Sequence, residues 1–221
     1  MPSEHELKFR LAAHRAAIIR RCLESRCRSD PHFSAGMVWS LYFDTEQFEL
    51  LRQKIEGNCD KRKIRFRWYD GTGNVYVEIK YRFGALRDKL RIETSVASET
   101  LEYRRLEENG ELLQNLLHPL RAAGARLPAA LFPMMTICFL RNRFVDPASG
   151  ARVSVDEQIT VASANRRFFK GDRPVPLPLA VVEVKGQGSR LSPSLSEILA
   201  VGARRDSVSK YLECYRLLRE R

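Results

Sequence analysis

Lys61-Arg62-Lys63-Ile64-Arg65-Phe66-Arg67-Trp68, residues 61–68, sets Lys61, Lys63, Arg65 and Arg67 at every second position and Ile64, Phe66 and Trp68 between them. Successive side chains of a β-strand point to opposite faces, so the segment predicts a strand with one cationic and one apolar face. The pattern recurs on both sides of it. Glu4, Glu6, Lys8 and Arg10 share a parity, as do Glu78, Lys80 and Arg82 against Val77, Ile79 and Tyr81. Lys89, Arg91 and Glu93 oppose Leu90 and Ile92, and Arg141 shares a face with Arg143. Arg152, Ser154 and Asp156 oppose Val153 and Val155, and Glu183 and Lys185 oppose Val182 and Val184.

Period-two alternation predicts strands at about 4–11, 37–43, 60–69, 75–83, 87–96, 134–145, 151–156, 158–168 and 179–186. Helical periodicity predicts helices near 12–26, 46–55, 98–108, 110–123, 193–203 and 206–219. Consecutive strands joined by short turns argue for an antiparallel meander with helices around it, an α+β fold. The segment Gly71-Thr72-Gly73-Asn74 reads as a hairpin turn. An open sheet with one wet face explains any single strand of this kind. Seven such strands favour closure, because closing a sheet removes its edges. The expected architecture is therefore a closed antiparallel barrel of about eight strands, with the charged face inside as a tunnel and amphipathic helices covering the apolar outside.

The chain has 221 residues and reads as one domain, 1–221, large enough for a real core. Its 38 Lys and Arg against 27 Asp and Glu give a net charge of +11, which favours an anionic partner. Buried like charges are costly unless a ligand neutralises them, so a cation-rich lumen calls for a polyanion. Nucleic acid is disfavoured, since Phe66 and Trp68 fall on the face opposite Arg65 and Arg67 and cannot stack bases there. No apolar run approaches a membrane span, and Met1-Pro2-Ser3-Glu4-His5-Glu6 lacks a signal core, so a cytoplasmic setting is expected. The five cysteines are scattered, and Cys22 with Cys27 lacks the second pair a zinc site needs. None of the four histidines sits in a nucleophile or metal motif.

Six short motifs follow the opening Glu4-x-Glu6-x-Lys8. They are Tyr42-Phe43-Asp44-Thr45, Lys63-x-Arg65-x-Arg67-x-Tyr69, Glu78-Ile79-Lys80, Arg152-Val153-Ser154-Val155-Asp156, Val182-Glu183-Val184-Lys185 and Ser209-Lys210-Tyr211. In this order, from Glu4 to Tyr215, they resemble the VTC domain, the polyphosphate polymerase branch of the CYTH-like triphosphate tunnel metalloenzymes. The resemblance implies ATP and inorganic polyphosphate or triphosphate as partners, and a divalent cation, manganese or magnesium, as cofactor. It implies Lys210, Arg65, Arg67, Arg141 and Arg152 as catalytic cations, and Lys8, Lys80, Lys89 and Ser209 as phosphate contacts. It also implies Glu183 as a metal ligand, with Glu6 and Glu4 beside it. Alternation adds Arg91 and Lys185 to the phosphate-binding set. Two positions depart from the polymerase pattern. Glu4 stands where a basic residue is usual, which leaves room for a hydrolase-like metal site, and Ser207 stands where a Lys is usual. A triphosphate hydrolase and a non-catalytic polyanion-binding module are the rival expectations.

Overall fold

The computed structural model describes residues 5–70, 73–84, 86–171 and 173–220, without the side chain of Arg87. Glu4 and the Gly71-Thr72 half of the expected turn lie outside the described residues. The strands are β1 (His5–Ala12), β2 (Arg28–Ser29), β3 (Ala35–Asp44), β4 (Asp60–Tyr69), β5 (Val75–Phe83), β6 (Leu86–Thr94), β7 (Phe132–Val145), β8 (Arg152–Ala164), β9 (Val175–Pro176), β10 (Leu179–Gly186) and β11 (Arg204–Arg205). The α-helices are α1 (Ala16–Arg26), α2 (Glu49–Ile55), α3 (Tyr103–Glu108), α4 (Gly110–Ala122), α5 (Glu197–Ala200) and α6 (Lys210–Arg219). The residues group into two compact units, one of 1–37, 138–160 and 175–213, the other of 38–137, 161–174 and 214–221.

In the first unit β10 lies between β1 and β8, antiparallel to both. Leu7, Phe9 and Leu11 of β1, Val153 and Val155 of β8, and Ala180, Val182 and Val184 of β10 form one apolar face. Ile19 and Leu23 of α1 and Ile198 of α5 pack into the same core. In the second unit β3, β4, β5 and β6 run as an antiparallel meander. Leu41, Phe43, Ile64, Phe66, Val75, Val77 and Ile79 face Leu113, Leu116, Leu117 and Leu120 of α4. Those leucines recur at helical spacing on one side of α4, which Asn109 caps by accepting from the Leu112 N–H at 2.9 Å. Each fully buried Ile, Leu or Phe contributes about 1.5–3 kcal/mol, so these two cores fix which face of every strand is left for charge.

The expected barrel is not closed. The hydrogen-bonded order is β11-β1-β10-β8-β7-β3-β4-β5-β6, and it ends at β11 and β6. The free edge of β1 is met instead by the two-residue β11, with the Asp206 N–H donating to the Lys8 carbonyl at 3.0 Å. A strand that short covers an edge without extending the sheet. The expected strands 151–156 and 158–168 are one strand, β8, and the break in their pattern marks Gln158, a left-handed residue at φ 55°. The helix expected from residue 12 begins at 16, because β1 runs to Ala12 and a 3-10 turn follows. The segment 98–108 divides into a 3-10 turn and α3, the segment 193–203 into a 3-10 turn and α5, and the last helix starts at Lys210 instead of 206.

Candidate active site

The face of each strand opposite its core gathers the charges into two clusters, one per unit. In the first, Lys8 on β1 stands in register with Glu183 on β10, and its Nζ lies 3.1 Å from Glu183 Oε1 and 3.5 Å from Glu6 Oε1. Arg141 on β7 grips Asp156 on β8 with two parallel bonds, Nε to Oδ1 at 2.5 Å and Nη2 to Oδ2 at 2.7 Å. That fork is the strong geometry for a guanidinium and a carboxylate. Its Nη2 also reaches Glu183 Oε2 at 3.5 Å. Lys210, the first residue of α6, places Nζ 2.5 Å from Asp156 Oδ2, 3.9 Å from Glu183 Oε1 and 4.6 Å above the Phe139 ring. Burial opposes ionisation of Glu183 and Asp156. The cations outweigh it: Lys8, Arg141 and Lys210 hold Glu183 well below the usual carboxylate range, and Arg141 and Lys210 lower Asp156. Burial likewise opposes charge on Lys8, and Glu183 and Glu6 raise its pKa in spite of it.

The second cluster centres on Glu78 of β5, which is completely buried. Arg65 on β4 stands opposite it and donates from Nε to Oε2 at 2.8 Å, with Nη2 at 2.6 Å from the same oxygen. Arg65 Nη1 donates to the Tyr42 hydroxyl at 3.1 Å. On β6, Lys89 Nζ lies 2.7 Å from Glu78 Oε1, and Arg91 Nε lies 3.6 Å from it while its guanidinium stacks 3.7 Å above the Tyr76 ring. Burial works against the Glu78 charge, and Arg65, Arg67 and Lys89 drive its pKa far down nonetheless. Arg67 is different. It is 8% exposed, donates from Nε to the buried Ser40 hydroxyl at 3.1 Å, and has no carboxylate within ion-pair distance among the described residues. Burial and the neighbouring Arg65 lower its pKa.

The end of β3 anchors this second cluster. Asp44 is completely buried; its Oδ1 accepts from the N–H groups of Thr45 and Leu50 at 2.9 Å, and its Oδ2 accepts from Leu51 at 3.0 Å. It satisfies donors that the first turn of α2 would otherwise leave open. The Tyr42-Phe43-Asp44-Thr45 motif thus caps a helix with one residue and holds Arg65 with another.

Of the expected site residues, Lys8, Glu6, Arg141, Glu183 and Lys210 share the first cluster, and Arg65, Arg67, Lys89 and Arg91 the second. Lys185 stands in register with Arg152, and Arg152 is exposed. Lys80 is exposed, in register with Lys63 and Lys89. Ser209 is buried just before α6 and accepts the Glu213 N–H on its carbonyl at 3.0 Å. Asp156, Glu78, Tyr42 and Ser40 were missing from the expected set. Asp156 and Glu78 share strand parity with residues that were in it, which is the signal that marks them.

Among the described residues no group of three or more His, Cys, Asp or Glu side chains converges as a metal cage. Glu183 and Asp156 nevertheless offer hard carboxylate oxygens in one cluster, with Glu6 reached through Lys8. Such a set fits magnesium or manganese, which take one or two carboxylates and draw remaining ligands from phosphate and water. No helix of the described residues is long and apolar enough to cross a membrane.

Comparison with known proteins adds the family. The profile of the VTC domain matches residues 3–219. No curated protein matches the sequence. Among solved structures the chain is similar to HpAC1 from Hippeastrum, named as an adenylyl cyclase and described as having a dominant triphosphatase activity. That match has 15% identity and a TM-score of 0.58, over 99% of this chain and 96% of that one. It is also similar to the PH1819 protein of Pyrococcus horikoshii OT3, with 13% identity and a TM-score of 0.52, over 98% and 100% of the two chains. A Bacillus halodurans protein named for adenylate cyclase matches with 11% identity and a TM-score of 0.53, over 95% and 96%. At these identities the structures speak for the fold, and the profile, which spans nearly every residue, speaks for the family: the chain shares its fold with HpAC1 and belongs to the VTC domain family.

Proposed function

We propose that this protein is a polyphosphate polymerase-like phosphotransferase that moves the terminal phosphate of ATP onto a phosphate chain in a cytoplasmic setting. The observation that carries this reading is Arg67, an almost fully buried guanidinium beside Arg65 with a hydroxyl and no carboxylate for a partner among the described residues. A buried cation left in that state is costly, and phosphate oxygens are the ligand whose geometry a guanidinium matches.

The balance of bonds is simple. A terminal oxygen of the chain bonds to the γ-phosphorus of ATP, the bond from that phosphorus to the β-bridging oxygen breaks, and ADP leaves with the electron pair. The loose transition state asks mainly for positioning and charge stabilisation. Arg65, Arg67 and Lys89 would bind phosphate oxygens in the second unit, while Lys8, Arg141 and Lys210 would do so in the first. Lys80, Arg91, Arg152, Lys185 and Ser209 would be outlying phosphate contacts. Glu183, with Asp156 and Glu6, would hold a divalent cation, which would supply charge neutralisation to the phosphates. Lys210, at the start of α6, is the residue assigned to the migrating phosphoryl group.

Transfer is favoured over hydrolysis by the state of the carboxylates. Glu78, Glu183 and Asp156 are each held by two or more cations. A carboxylate committed in that way is a poor base for water, which needs one, whereas a terminal phosphate oxygen already carries its charge. Hydrolysis stays the second reading because the similar fold of HpAC1 supports a triphosphatase. Purified protein incubated with labelled ATP, manganese and a short polyphosphate primer decides between them. Chain growth with ADP release is the expected result. Phosphate release without growth would establish the hydrolase, and tight polyphosphate binding without turnover would establish a binding module.

A further inference from the structure

The cross-strand row two residues along from Lys8 and Glu183 runs from Arg10 on β1 through Val181 on β10 to Asp156 on β8, each in register with the next. The first turn of α6 is fastened at both ends of that row. At one end Lys210 Nζ lies 2.5 Å from Asp156 Oδ2. At the other, Arg10 Nη2 donates to Glu213 Oε2. Two strand spacings, about 10 Å, separate these anchors. Glu213 follows Lys210 by three residues, so the two share a helix face, and its N–H donates to the Ser209 carbonyl at 3.0 Å and closes that turn. Arg10 also meets the chain leading into the helix. Its backbone stands in register with Arg204 of β11, and its Nε lies 3.5 Å from Asp206 Oδ2. That N–H is shielded from water and makes no hydrogen bond among the described residues, so the Asp206 arm is a loose ion pair.

A phosphoryl group that reaches Lys210 replaces Asp156 as its partner. The Asp156 anchor is then released, and the pair of Arg10 with Glu213 still ties the first turn of α6 to β1. We infer that Arg10 is a positioning residue: through Glu213 it holds that turn, so that Lys210 exchanges Asp156 for phosphate without the helix shifting. The inference rests on the proposed function, which assigns Lys210 to the migrating phosphoryl group, and adds Arg10 and Glu213, which no motif names. Arg10 shares the strand parity of Glu6 and Lys8, yet its guanidinium is engaged by the acids that flank Lys210 in sequence. The Glu213 side chain is 15% exposed and that of Asp206 43%, so the first arm carries the effect and the second, open to water, contributes little.

The test measures chain extension by the full chain with ATP, manganese and a short polyphosphate primer. Arg10→Ala should lower kcat about tenfold, the range for one charge-assisted hydrogen bond, with KM for the primer changed less than about twofold. Glu213→Ala, which puts a strong helix former into α6 and so keeps the fold, should give the same loss. Combining the two should cost nothing further, and neither should lower the residual rate of Lys210→Met, because the pair acts through that lysine. Arg10→Lys keeps a charged contact with Glu213 and should recover part of kcat, while Asp206→Ala should change kcat less than about twofold. A raised KM with kcat unchanged would make Arg10 a phosphate contact. A lower melting temperature with both constants unchanged would make the pair structural, and a further loss on top of Lys210→Met would cut its link to that lysine. Each of these overturns the inference and leaves the proposed function standing. Wild-type protein that releases phosphate without extending chains overturns the transfer reading alone, and the same variants are then judged on that release. Wild-type protein with no turnover overturns both.

Discussion

Among the described residues, the first cluster sets Glu6, Asp156 and Glu183 against Lys8, Arg141 and Lys210, whereas the cluster around Glu78 sets one carboxylate against Arg65, Lys89 and Arg91, with Arg67 beside them. Both grow from the same alternation of charged and apolar strand residues. They differ in balance. The first is nearly neutralised by itself, so a phosphate entering it competes with carboxylates for every cation. The second keeps a surplus of positive charge that costs stability until an anion arrives. Under the proposed function, the first cluster would be the one to exchange ligands around a phosphate, and the second the one to retain an anion.

The largest expected effect tests the first half of that contrast. Lys210→Met should lower chain extension by about a hundredfold, the range for loss of one preorganised charge at a developing anion. The fold should survive, because Arg141 still grips Asp156 with both of its bonds. Polyphosphate affinity should change far less than the rate. If extension and affinity fell in parallel, Lys210 would be one more binding cation and the contrast would collapse.

Next in size is Glu78→Gln in the second cluster. Removing one member of a buried ion pair costs about 3 kcal/mol, and here it leaves Arg65 facing a neutral amide. Added tripolyphosphate should recover part of the lost melting temperature, since a ligand that binds the native state stabilises it. The pH dependence has a definite sign. The folded Glu78 pKa is depressed, so its contribution is fully present above the ordinary carboxylate pKa of about 4 and is lost as pH falls through that range toward the folded value. Wild-type stability should fall below about pH 5 with a component that the Gln variant lacks. Parallel acid curves for the two proteins would remove Glu78 from the centre of the cluster.

How much of this was legible in the sequence follows from the range of each interaction. Alternation told which residues share a strand face, because that is a property of neighbours two apart, and the apolar partners Ile64, Phe66, Val153 and Val182 are indeed core. Closure was misjudged because it depends on which strand meets the edge of β1, and Arg204–Arg205 is too short to show a period. The cations were found as candidates, but their balance was not. Asp156 and Glu78 acquire their importance from Arg141, fifteen residues before Asp156, and from Arg65, thirteen before Glu78, each on a neighbouring strand. Ser40 carried no signal at all, being a small polar residue in an apolar run whose partner is Arg67.

That residue gives the smallest and most discriminating test of the contrast. Ser40 is completely buried, and its hydroxyl accepts the one hydrogen bond that fixes the Arg67 Nε. Ser40→Ala leaves that donor unsatisfied and should cost about 1 kcal/mol of stability. With the guanidinium less firmly aimed, KM for the phosphate chain should rise about threefold with kcat unchanged, the pattern of a contact made equally in ground and transition states. Ser40→Thr, which keeps the hydroxyl on a strand that tolerates β-branching, should restore KM. A fall in melting temperature with KM unchanged would make Ser40 a packing residue only. A fall in kcat with KM unchanged would place Arg67 at the reacting phosphate, and the second cluster would then share the chemistry assigned to the first.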